Sequence, residues 1–138
     1  MTIEDAFVAI AQADAGLVAL LGAGTAIRFY PRTVPQDAAM PAVTFHCVSA
    51  ENTVAMGVSG PPEVDRWQFS CWSIGDDLND AKDVARAVRS AFDRWRGVAA
   101  GVTIQDIILD GSRDLPLDYE ADRNHVAVDF RVFHEDSP

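Results

Sequence analysis

Lysine is almost missing from this 138-residue chain: Lys82 stands beside ten arginines, and 21 acidic residues leave a formal net charge of −10. That balance excludes a basic patch built to grip a polyanion, and repulsion from nucleic acid is the expectation. Cysteine is scarce as well. Cys47 and Cys71 each fall inside a strand-like alternation instead of a CxxC or Cys/His spacing, which argues against zinc and predicts two buried free thiols. Apolar residues make up 49% of the chain, yet no run approaches the roughly 18 positions of a membrane span, and a basic flank with an apolar block is missing from the N-terminus. A soluble, cytosolic protein is expected. GxSxG, HExxH and GxxxxGK[ST] are all lacking, as are internal repeats and low-complexity blocks. The GxG at Gly22 follows a helical pattern rather than a strand and has no third glycine, so it is no dinucleotide fingerprint.

What is present alternates between two periods. Residues 2–24 predict one helix, with Thr2 as N-cap, Glu4 and Asp5 in the first turn, and Phe7, Ile10, Leu17, Leu20 and Leu21 on an apolar stripe. An arm then carries Pro31, Pro35 and Pro41. Proline fixes φ and removes a donor, so such an arm is a poor builder of regular structure. Val43, Phe45 and Cys47 alternate with Thr44 and His46 as a strand, and Trp67, Phe69 and Cys71 alternate with Arg66, Gln68, Ser70 and Trp72 as a second. Between them "AENTVAMGVSGPPE" predicts a long loop or a hairpin extension. From Asp76 to Trp95 the stripe Leu78, Ala81, Ala85, Val88, Phe92 predicts a helix, acids first and arginines last, matching the helix dipole. Val102/Ile104 fall out of phase with Ile107/Leu109, which predicts a bulge near Gln105 and Asp106 in a third strand. Val126, Val128, Phe130 and Val132 mark a fourth. The expected fold is α+β, a single domain over 1–138: one sheet of about four mainly antiparallel strands, covered by two helices, with a long hairpin loop.

Catalysis finds little footing. His46 and His125 sit opposite the main apolar series of their strands, and His134 stands apart from both. The acidic stretch "DGSRDLPLDYEADR" has neither a calcium-loop ladder nor tight carboxylate pairing, and predicts a solvated connection. No catalytic residue, cofactor or metal ligand is expected. What stands out is apolar surface: Phe29 and Tyr30 in the arm, Val54, Met56 and Val58 in the loop, and Trp72 on an outer strand face. These are candidate contacts with other chains, with packing back onto their own subunit as the alternative.

The order of "IRFYPRTVPQDAAMPAVTFHCVS", "DRWQFSCWS", "DAKDVARAVRSAF", "GVTIQDIILDGSRDL" and "HVAVDFRVFH" resembles the tail completion, or tail terminator, proteins of long-tailed bacteriophages and of gene transfer agents, over nearly the whole chain. The resemblance implies a non-enzymatic virion protein in the tail of a phage or phage-like particle. It implies a ring, typically a hexamer, that caps the tail tube, terminates its polymerisation and forms the joint to the head connector. The implied partners are further copies of the chain, the major tail tube protein and a head completion or connector protein. DNA would pass through without specific binding, no membrane is involved, and Asp110, Asp114 and Asp118 are candidate lumen acids that would let a duplex slide. Two other readings stay open: a small cytosolic α+β ligand-binding or regulatory module closed by the 51–63 loop, and an enzyme using His46, His125 and the acidic stretch around a divalent ion.

Overall fold

The structure is a computed structural model that describes residues 2–35, 38–52, 63–74, 78–118 and 123–134. Helix α1 (Ile3–Ala13) begins at a capping box: the Thr2 hydroxyl accepts from the Asp5 N–H, and the Asp5 carboxylate accepts from the Thr2 N–H. The single N-terminal helix expected from periodicity is in fact two. Asp14 adopts extended backbone, closes α1 through its own N–H to Ala11, and accepts from the Leu17 N–H to start α2 (Ala15–Leu21). An aspartate able to cap a new helix competes with continuation of the old one. Gly22, at φ 99°, then ends α2 in a conformation that glycine adopts without strain.

The proline arm is partly a strand. β1 (Phe29–Pro31) lies parallel to β2 (Ala42–Asn52), and β3 (Glu63–Ile74) pairs antiparallel with β2. Helix α3 (Leu78–Phe92) leads to a short β4 (Gly97–Ala99), followed by β5 (Val102–Asp118) and β6 (Arg123–His134). The sheet therefore has six strands, in the order β1-β2-β3-β6-β5-β4, instead of about four. The two unforeseen strands are each three residues long, too short to show a period. The bulge expected near Gln105 is present, as a register shift between Ile104 and Asp106.

The acidic stretch read as a connection is strand as far as Asp118. Further shifts at Leu109/Gly111 and Leu115/Asp118 break its alternation, so its sequence carries no sustained two-residue period. The neighbouring strands likewise shorten the predicted loop, since β2 runs to Asn52 and β3 starts at Glu63.

One sheet face carries the core. Val43, Phe45, Trp67, Phe69, Cys71 and Val126–Val132 at alternate positions face α1 and α3, which pack on β1, β3, β4 and β6. Phe7 from α1 is the hub, with ring centroids 4.9 Å from Trp67, 5.3 Å from Phe69, 5.6 Å from Phe45 and 5.9 Å from Phe92, all edge-on. Aromatic rings favour edge-to-face contact because the positive rim of one meets the negative face of the other.

Candidate assembly surface

The opposite sheet face, across which no helix packs among the described residues, presents three rows of side chains, two of them charged. Arg66 and Arg131 are direct cross-strand partners, a like-charge pairing that is unfavourable alone. Asp110, displaced outward at the β5 bulge, resolves it by pairing with both. One step up, Arg113 pairs with Asp129 and donates to the Gln68 side-chain oxygen at 2.9 Å. Above that, Trp72 stacks on its cross-strand partner His125 at 4.0 Å and 16°, and its indole N–H donates to the Thr44 hydroxyl at 3.0 Å. Burial by this stack, the Arg113 guanidinium and then His46 push the His125 pKa down to about 4. His125 is therefore neutral at pH 7, an uncharged aromatic wall to Trp72.

The predicted site residues fare differently. Phe29 is not surface at all: it is 3% exposed and packs on Phe45 and Phe92, because β1 folds the arm's start into the sheet. Tyr30, next along the strand, points the other way and is half-buried. Trp72 is half-buried by its stack rather than freely offered. Val54, Met56 and Val58 lie outside the described residues.

Asp110 and Asp114 do not form one acidic patch. The first is held by Arg66 and Arg131 on the open face, while the second lies 3.8 Å from Lys82 of α3 on the other side. The Asp118 side chain is outside the described residues. Cys71 is buried, as expected, and desolvation raises its pKa, but Cys47 is exposed, in a hollow it shares with Glu4, Arg32 and Trp67.

The histidines do not converge. His46 and His125 share the open face, whereas His134 is buried on the core side with its Nε2 2.7 Å from Asp65. Among the described residues no three His, Cys, Asp or Glu side chains gather as a metal site. The hollow beside Arg66, Asp110 and Arg131 is polar and shallow. Sequence reasoning missed the Arg66–Asp110–Arg131 cluster. Strand alternation placed Arg66 on an outer face, but only the register makes Arg131 its neighbour. It also missed Val48 and Val98, 55% and 67% exposed at opposite sides of the sheet.

These features define an α+β module, with a helix-covered core on one side of the sheet and rows of paired charges across the other. The chain belongs to the tail completion protein gp17 family, whose model matches residues 5–135. It is a structural protein of the phage-type tail, not an enzyme. A chain from the virion of a native gene transfer agent particle shares the fold, with TM-score 0.75 and 22% identity over 97% of this chain and 95% of that one. A second solved chain matches with TM-score 0.61 and 14% identity over 100% and 99%. Among curated protein sequences none matches.

Proposed function

We propose that copies of this protein form a ring, a hexamer, on the last ring of the tail tube, stop its growth and offer the joint to the head connector. The reading rests on the family match over residues 5–135, nearly the whole chain. The surface suits it. Exposed Val48 and Val98 at opposite sides of one sheet supply two different contact patches, as head-to-tail ring contacts require. Tyr30, half-buried at the root of the arm, is a further contact candidate, as are Val54, Met56 and Val58 outside the described residues. Asp114, 58% exposed at its side chain, remains a lumen candidate, whereas Asp110 is already paired with two arginines.

Purified protein mixed with preassembled tail tubes of the same system and imaged by negative-stain electron microscopy tests this directly. Added density at one tube end is expected, with Tyr30→Ala weakening it while leaving the melting temperature unchanged. Intact tubes that gain no density overturn the reading.

A further inference from the structure

The far edge of the sheet is only partly closed. β4 covers β5 at Val102–Ile104 alone. The next outward backbone groups are met by the segment after α3: the Arg94 N–H donates to the Ile107 carbonyl at 2.6 Å, and the Leu109 N–H donates to Asp93 Oδ1 at 3.0 Å. A carboxylate and an amide thus stand in for an added strand at Ile107 and Leu109. Beyond Leu109, among the described residues, no further element meets the outer edge of β5, so Gly111–Leu115 presents an open edge.

A groove of about 180 Å³ lies between that open stretch and α3, and a second hollow of about 480 Å³, which shares Arg86 and Arg89 with it, continues beside Leu109 where the edge is already capped. The apolar part of its floor comes from Leu109 and the nearly buried Ala85 and Val126, and Ser112, Asp114, Ser90 and Asp93 line the rest. Its helix wall carries Lys82, Arg86 and Arg89, one turn apart on a single helix face. Arg86 reaches only the exposed Asp83 within its own helix, Lys82 reaches Asp114 at 3.8 Å, and Arg89 has no ion-pair partner among the described residues. In a chain of net charge −10 this is a local cationic wall facing an unfilled strand edge.

We propose that this groove binds an extended acidic segment of a partner protein, added as a seventh strand on Gly111–Leu115. Main-chain hydrogen bonds to the β5 edge would supply the pairing, and alternate side chains the selectivity. Side chains on one face of a strand recur at about 6.8 Å, and successive cations along α3 at about 5–6 Å, so two acids at alternate positions meet two of the three cations. The apolar floor takes small aliphatic groups between them. Pro116, just past the open stretch, restricts how far pairing extends and guards against indiscriminate edge association. The inference does not depend on the ring arrangement proposed above.

The probe is a capped, fluorescent nine-residue peptide alternating glutamate with valine and threonine, titrated into the full chain. Binding is expected, with slowed hydrogen exchange at the Ser112 and Asp114 amides. Arg86→Glu/Arg89→Glu should weaken it at least tenfold while leaving the melting temperature close to wild type. The same peptide N-methylated at alternate amides should not bind, and the distant Arg32→Glu should leave affinity unchanged. No binding, or equal binding of the N-methylated peptide or by the double variant, overturns the proposal. Self-association of the free chain that the double reversal dissolves would assign the groove to a second copy, and overturns it too.

Discussion

Arg28 Nε donates to the Pro41 carbonyl at 2.8 Å, joining the first residue of the proline arm to its last. The same guanidinium donates through Nη2 to the Leu20 carbonyl at 3.0 Å, and the Arg28 backbone N–H takes the Leu21 carbonyl, so one side chain ties helix end, arm and sheet together. The Val43 N–H completes the closure by donating to the Arg28 carbonyl. The arm is thus an excursion pinned at its base, with Pro31–Thr33 exposed, and not a slack connector. A pinned, proline-stiffened excursion loses less entropy when a neighbour orders it.

Arg28→Ala removes two charge-assisted hydrogen bonds to carbonyls of the partly buried base. A loss of about 2–3 kcal/mol is expected from the denaturant midpoint, at unchanged slope. Arg28→Lys should recover only part of it, since one ammonium cannot reproduce the planar fork that reaches two separate carbonyls.

His125 makes stability fall with acid. Its folded pKa of about 4 lies below the usual imidazole value near 6.5, so between those values the unfolded chain binds more protons. Its contribution is fully present above about pH 6.5 and declines until about pH 4. Carboxylates titrate in part of the same range, so the measurement is the difference between wild type and His125→Gln in denaturant midpoints at pH 7 and pH 4.5. The variant is expected to lose less stability on acidification. Arg113→Gln should raise the His125 titration midpoint seen by NMR.

The two thiols separate by environment. In native protein an aromatic disulfide reagent is expected to titrate one cysteine, Cys47, and two after denaturation, because Cys71 is fully buried. Burial, and next the Asp65 carboxylate, hold the Cys47 pKa above its ordinary value, so its reaction should be slower at neutral pH than that of an unstructured cysteine peptide. Cys47→Ser should abolish the native signal. A native titre of two would contradict the packing around Cys71.

Alternation and helical periodicity carried much of the fold: β2, β3, β6 and α3 were legible because each buries one face for long enough to show its period. The same local chemistry announced the Thr2 cap and the bulge at Ile104/Asp106, and the ordered motifs announced the family. Tertiary structure alone decided the rest. β1 and β4 exist because a neighbouring strand offers them an edge, not because three residues carry a pattern. Phe29 is core rather than contact because parallel pairing with Val43 turns it inward. The Arg66–Asp110–Arg131 cluster and the cationic groove beside β5 join residues far apart in the chain, through strand register and the seat of α3 on the sheet. Periodicity reports which face a residue takes within its own element; which elements become neighbours is settled by how their apolar faces share one core.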